Sequence, residues 1–208
     1  MKSKKKLLEN SRLYVILDKD VLGNNFLFDT AKQLRDSEVK IVQFRDKQSP
    51  KADILKAAFK LRKIIQNSKA IFIVNDHLDI AKIADTDGIH LGQDDIPIEM
   101  ARKILGRNKI IGISCHSLKQ ALTAQRKGAD YIGIGPIFPT STKPEYKTVG
   151  LSLITKIKRR IKIPFFAIGG INETNLNEVL SSGAKRIAVC RAVCQAKNIH
   201  KIVKLLNC

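Results

Sequence analysis

Asp130-Tyr-Ile-Gly-Ile-Gly-Pro-Ile-Phe-Pro-Thr-Ser-Thr-Lys143 begins as a strand and ends as a loop. Tyr131 to Ile134 is a short apolar run of the kind that forms a strand buried on both faces, and Pro136 and Pro139 break it. Gly133 and Gly135 remove side chains where the strand runs out, so another backbone or a ligand can come close. Thr140, Ser141, Thr142 and Lys143 then gather three hydroxyls, backbone N–H groups and one ammonium, a set suited to phosphate oxygens. An ordinary polar surface turn is the competing reading of the same residues.

Working outward, the same unit recurs along the chain. Further strands are expected at Leu13–Leu17, Lys40–Arg45, Ile71–Val74, Gly88–Leu91, Ile110–Ser114, Pro164–Ile168 and Arg186–Cys190. Amphipathic stretches follow them: Phe28–Asp36, Ala52–Gln66, Ile98–Leu105, Leu118–Lys127, Leu151–Arg159, Leu176–Ser181 and Ile199–Leu206, with a short and weaker one at His77–Ala84. Ser49-Pro50 and Asn172-Glu-Thr174 look like helix starts, and Gly106, Gly128 and Gly183 like helix ends. Eight strand-then-helix units predict an α/β protein, a single (β/α)8 TIM barrel over 13–208, with residues 1–12 as a loosely packed basic extension. A doubly wound open sheet is the alternative, disfavoured because no GxGxxG follows the first strand.

The 208 residues suffice for one domain, and no apolar run is long enough to cross a bilayer or serve as a signal peptide, so a cytoplasmic protein is expected. Cys115, Cys190, Cys194 and Cys208 lack zinc spacing and read as free thiols. The formal net charge of +19 suggests nucleic acid at first. The basic residues are nevertheless spread over helical segments such as Lys56–Lys63 and Lys156–Lys162, with no aromatic residues interleaved. A lysine-rich solvated surface that attracts anionic small molecules is the better reading, with neither nucleic acid nor membrane as partner.

In a barrel, chemistry belongs at the C-terminal ends of the strands. The second strand ends in Gln43-Phe-Arg-Asp-Lys47, where alternation puts Gln43, Arg45 and Lys47 on one face and Val42 and Phe44 on the other. The cations there suit an oxyanion such as pyrophosphate, unless Arg45 is held in an internal ion pair with Asp46 or another carboxylate. Asp76 follows the third strand and Asp95 the fourth, and two carboxylates at adjacent strand ends can reach one hard cation such as Mg²⁺. Helix capping is the plainer account of either alone. Ser114 can face inward from the fifth strand, Ser117 is placed to cap the next helix, and Gly169-Gly170 leaves backbone N–H groups uncovered after the seventh. His77 and His90 read as structural or supporting groups.

Taken together, Gln43–Lys47, Asn75-Asp76, Gly92–Asp95, Gly112–Ser114, Gly133–Lys143 and Ala167–Ile171 resemble the thiamine phosphate synthase family in order and spacing. The resemblance implies a Mg²⁺-dependent transferase that condenses 4-amino-5-hydroxymethyl-2-methylpyrimidine diphosphate with a thiazole phosphate, usually carboxylated, releasing pyrophosphate. Carried over position by position, it implies that Gln43, Phe44, Arg45, Asp46, Lys47, Asn75, Ser114 and Lys143 bind the pyrimidine diphosphate. Arg45, Lys47, Ser114 and Lys143 would be catalytic, and Asp76 and Asp95 would hold Mg²⁺. Thr140, Ser141, Thr142, Gly170, Cys190 and Arg191 would bind the thiazole phosphate. One position departs: the family commonly has Val-Ser where this chain has Cys190-Arg191. A thiazole tautomerase on the same barrel, with His116 as its acid–base residue, and a non-catalytic anion-binding barrel are the rival readings.

Overall fold

The computed structural model describes residues 2–141 and 147–207. Eight parallel strands close into a barrel in sequence order: β1 (Leu13–Asp18), β2 (Ile41–Arg45), β3 (Ile71–Asn75), β4 (Gly88–Leu91), β5 (Ile110–Cys115), β6 (Tyr131–Ile134), β7 (Phe165–Ile168) and β8 (Ile187–Val189). Leu13 pairs with Ile187 and Val15 with Val189, which closes the ring and leaves no sheet edge. The (β/α)8 expectation is therefore the observed fold.

Side-chain alternation divides the core in two. Outward-facing Val15, Leu17, Val42, Phe44, Val74, Ile89 and Ile132 pack under the surrounding helices. Inward-facing Tyr14, Ile16, Ile41, Ile71, Ile73, Ile110, Tyr131 and Phe166 fill the barrel interior. Because both faces are covered, each strand reads as largely apolar, with polar residues gathered at the C-terminal ends, and that is why all eight are legible in the sequence.

The helices lay apolar stripes on this ring. They are α2 (Lys19–Asp36), α3 (Lys51–Ile65), α4 (Leu78–Ile83), α5 (Ile98–Leu105), α6 (Leu118–Arg126), α7 (Gly150–Ile157), α8 (Leu176–Ser181), α9 (Arg191–Cys194) and α10 (Ile199–Leu206). In α3 the buried residues are Ile54, Ala58, Leu61 and Ile65, one face of a helix. Ser117 caps α6 as expected, its hydroxyl accepting from the Gln120 N–H at 3.2 Å. Gly106, Gly128 and Gly183 all adopt positive φ at helix ends. Asn172 does not start a helix: its side chain accepts from Thr174 in a local turn, and α8 begins only at Leu176.

The N-terminal residues are not loosely packed. Lys2–Asn10 forms a helix, α1, and Leu8 joins the barrel-interior cluster at 2% exposure. Lys4 pairs with Asp87 and Lys5 with Asp130 at 2.6 Å, while the Arg186 guanidinium donates to the Glu9 carbonyl. Helix α1 thus seals the end of the barrel opposite the strand C-termini. Among the described residues, no helix is long and apolar enough to cross a membrane.

Candidate functional site

A cavity of about 410 Å³ opens among the C-terminal ends of the strands. Strand alternation aims the inward residues of each strand end into it: Asp18 from β1, Gln43 and Arg45 from β2, Asn75 from β3, His90 from β4 and Ser114 from β5. Thr140 and Ser141 from the loop after β6, Gly170 after β7, and Cys190 and Arg191 after β8 complete the far wall. Nine of the residues singled out from the sequence therefore meet around one space: Gln43, Arg45, Asn75, Ser114, Thr140, Ser141, Gly170, Cys190 and Arg191. Thr142 and Lys143 lie outside the described residues.

Two others do not join them. The Phe44 side chain is 1% exposed within the outer layer, pointing away from the mouth. Asp46 is also buried and turned aside. Its Oδ1 accepts from the Gln48 and Ser49 N–H groups at 3.1 and 3.0 Å, and its Oδ2 faces the Lys19 ammonium at 3.3 Å. Burial works against ionisation there, but those donors prevail and hold the carboxyl below its usual range. Of Gln43–Lys47, alternation brings Gln43 and Arg45 to the cavity and turns the Phe44 and Asp46 side chains away from it.

Arg45 donates to Asp18 Oδ2 at 2.5 Å, the internal ion pair with another carboxylate. Asp18 also caps α2 through the Asp20 N–H at 3.0 Å, so one carboxylate fixes the guanidinium and the start of a helix together. The Arg45 guanidinium is oriented and still lines the cavity.

Lys47, Asp76 and Asp95 form a second group just outside the cavity lining. Lys47 pairs with Asp76, whose N–H donates to the His90 carbonyl at 2.9 Å. Asp76 has φ 59°, an uncommon conformation for a side chain that turns this carboxylate toward the loop after β4. There Asp95 Oδ2 accepts from the Gly92 N–H at 2.6 Å. Burial raises the Asp95 pKa, and the hydrogen-bonding and charged neighbour Asp76 raises it further. Asp76 Oδ2 is buried and faces the Lys47 ammonium. Two adjoining carboxylates are a donor set that suits a hard divalent cation completing its shell with water and phosphate. Among the described residues, no group of three or more acidic, His or Cys side chains converges, so a closed protein cage is not what is built here.

Beneath the cavity runs a chain of hydrogen bonds absent from the sequence reading. Gln43 Nε2 donates to the Tyr14 hydroxyl at 2.6 Å, Tyr14 and Tyr131 hydroxyls meet at 2.9 Å, Tyr131 reaches His90 Nδ1 at 2.9 Å, and His90 Nε2 reaches Ser114 Oγ at 2.9 Å. Both tyrosine pKa values are raised, first of all by burial, so the hydroxyls stay protonated. Phe166 packs edge-on against both rings, at 5.3 and 5.7 Å between centroids. Gly112 makes room for this arrangement: a Cβ there would lie 2.0 Å from the Tyr131 ring. The chain holds two of the polar groups of the pocket, Gln43 and Ser114, in fixed orientation from below. Tyr131→Phe is expected to leave Tyr14 and His90 short of a partner and to cost about 1–3 kcal/mol in urea unfolding, with an unchanged m-value.

The far wall is set by backbone. Ile137 and Phe138 N–H groups donate to the Ile168 and Gly169 carbonyls at 2.9 and 3.0 Å, so the loop after β6 first continues along β7. Gly169 and Gly170 have φ of 102° and 64°, and a Cβ at Gly170 would meet the Pro139 oxygen at 2.6 Å. His116, the rival acid–base candidate, lines the cavity with Nδ1 bonded to the Gly135 carbonyl at 2.6 Å.

Comparison with known proteins agrees with this geometry. The family model described as thiamine monophosphate synthase matches residues 13–193. A thiamine-phosphate synthase of Lawsonia intracellularis is 43% identical over 188 residues, 90% of this chain and 87% of that protein. One of Dictyoglomus turgidum is 40% identical over 211 residues, covering 99% and 95%. A solved structure, thiamine phosphate pyrophosphorylase from Pyrococcus furiosus, superposes with a TM-score of 0.86 at 38% identity, covering 98% of this chain and 95% of that one.

Proposed function

The chain belongs to the thiamine monophosphate synthase family, and with that as premise we propose how its mouth joins a pyrimidine diphosphate to a thiazole phosphate. It is a transferase acting on small phosphorylated substrates. In the proposed reaction the bond between the pyrimidine methylene carbon and the diphosphate oxygen breaks first, because the aminopyrimidine ring stabilises the resulting methylene cation. The thiazole ring nitrogen then attacks that carbon to give thiamine phosphate, and pyrophosphate leaves. No protein nucleophile is required.

The observation that carries this reading is the placement of charge. Arg45, held by Asp18, faces the cavity, and Lys47 stands beside the Asp76–Asp95 pair at its edge. A diphosphate seated there would leave beside positive charge already fixed in position, which supports the reading. Gln43, Asn75 and Ser114 would seat the pyrimidine end, and the resemblance assigns Lys143 to the diphosphate as a further cation. Thr140, Ser141, Thr142, Gly170 and the Cys190–Arg191 backbone would hold the thiazole phosphate. Mg²⁺ bound by Asp76 and Asp95 would supply Lewis-acid charge neutralisation at the diphosphate. Seating both substrates in one mouth contributes through orientation.

The test is incubation of the purified protein with both substrates, with and without Mg²⁺. Thiamine phosphate is expected only when both substrates and Mg²⁺ are present. Isomerisation of thiazole phosphate alone, with no thiamine phosphate formed, would instead favour the tautomerase reading.

A further inference from the structure

This chain has Cys190-Arg191 at the end of β8, and a second cysteine, Cys194, follows one helical turn later. Cys190 ends β8, lines the cavity and stands at the N-cap of α9, with φ −121° and ψ −82°. The Cys194 N–H donates to the Cys190 carbonyl at 2.9 Å, so the two residues are bridged across a single turn. Four residues of helical rise span about 6 Å, inside the Cα separation that a disulfide accepts. Because Cys190 itself is not helical, its Cβ is free of the helical direction, and the two thiols stand near enough to influence each other's ionisation. The Cys194 sulfur also meets the Ile16 carbonyl at 3.3 Å, which holds it beneath the cavity wall.

The pair is chemically unequal. The neighbouring Cys190 thiol lowers the Cys194 pKa, while that same contact, with burial, raises Cys190 well above its usual range. The direction of these shifts makes Cys194 the better thiolate of the two, and Cys190, at the end of β8 on the cavity wall, the thiol beside it that resolves. Cys115 shows neither property: it is fully buried in the outer layer, and burial alone pushes it up to about 12.

We propose that Cys190 and Cys194 are a dithiol modification site that a hydroperoxide closes into a disulfide, pulling the Cys190–Arg191 backbone away from phosphate. The second half rests on the assignment of thiazole phosphate to that backbone. In the first step the Cys194 thiolate attacks one oxygen of the hydroperoxide, the O–O bond breaks, and an alcohol or water leaves after taking up a proton. Cys194 is then a sulfenic acid. The Cys190 sulfur attacks the Cys194 sulfur, and its proton leaves with the hydroxyl as water. Two thiols and one hydroperoxide give one disulfide, one alcohol or water, and one further water.

The sequence makes this easy to read. Trypsin cuts after Arg186, Arg191 and Lys197, placing Cys190 and Cys194 on two different peptides that remain joined only if the disulfide has formed. The full-length protein is treated with hydrogen peroxide, its remaining thiols are alkylated, and the digest is weighed. The expected result is the joined pair of peptides. The KM for thiazole phosphate should rise by about tenfold or more, the loss of one charge-assisted hydrogen bond, with dithiothreitol restoring it. Cys194→Ser should give no joined peptides and no peroxide effect on that KM. Alkylation of both cysteines after peroxide, or their oxidation to separate acids, overturns the dithiol site. Joined peptides with both KM values unchanged overturn the effect on phosphate. A rise only in the KM for pyrimidine diphosphate overturns the thiazole-phosphate assignment at Cys190–Arg191 and leaves the disulfide standing.

Discussion

Asp95→Ala is expected to lower turnover on the order of 10³-fold while leaving the barrel folded, because several kcal/mol of charge stabilisation at the leaving diphosphate is lost. The carboxylate lies in a loop, and its partners are the Gly92 N–H and Asp76. A second readout is independent of catalysis. Asp95 has a raised pKa in the folded, metal-free protein, so this group favours folding at low pH and loses that contribution as pH rises through its folded value. Asp95→Asn removes the repulsion with Asp76 and is expected to make the metal-free protein more stable at neutral pH. The same change should abolish the rise in melting temperature on adding Mg²⁺. A variant that still shows wild-type stabilisation by Mg²⁺ and wild-type rates would remove Asp95 from the metal site.

How far the sequence carries depends on whether a residue's role is set locally. The strands were legible because a parallel barrel buries both faces, so Ile71–Val74 or Tyr131–Ile134 can hardly be anything else at that length. Arg45 and Gln43 were legible because alternation along one strand fixes their face. Tyr14 and Tyr131 were not. In sequence each is an aromatic residue in an apolar run, and only closure of the ring brings hydroxyls 117 residues apart to 2.9 Å. Asp18 was missed for a similar reason: it reads as a strand end, and its partner arrives from the neighbouring strand 27 residues on. Helix α1 shows the converse. Lys2–Asn10 has only Leu7 and Leu8 as large apolar residues beyond Met1, too few to announce a packed helix, and their value appears only once the barrel offers an open end to cover. The departure at Cys190-Arg191 was visible at once, but that Cys194 lies against it depends on the turn that begins there.

Arg45→Ala is expected to destabilise the protein by about 3–5 kcal/mol and to cut kcat/KM for the pyrimidine diphosphate by 10²–10³-fold, roughly. The two losses have different physical origins, and a second substitution separates them. Asp18 is fully buried, and its side chain retains 1% exposure against 13% for Arg45, so truncating the guanidinium leaves a poorly solvated carboxylate without its counter-charge. Most of the destabilisation is the cost of that unpaired charge, not the worth of the pair itself. Replacing Asp18 by Asn in the Arg45→Ala background neutralises the charge and keeps an oxygen to accept from the Asp20 N–H, so the cap of α2 survives. Stability measured by urea unfolding should then recover by most of the loss, with a coupling energy of several kcal/mol in the double-mutant cycle. Activity should not recover, because the cation facing the diphosphate is still missing. If the double variant regains both, Arg45 serves the barrel and not the leaving group, and the cationic mouth would have to be Lys47 and its neighbours alone.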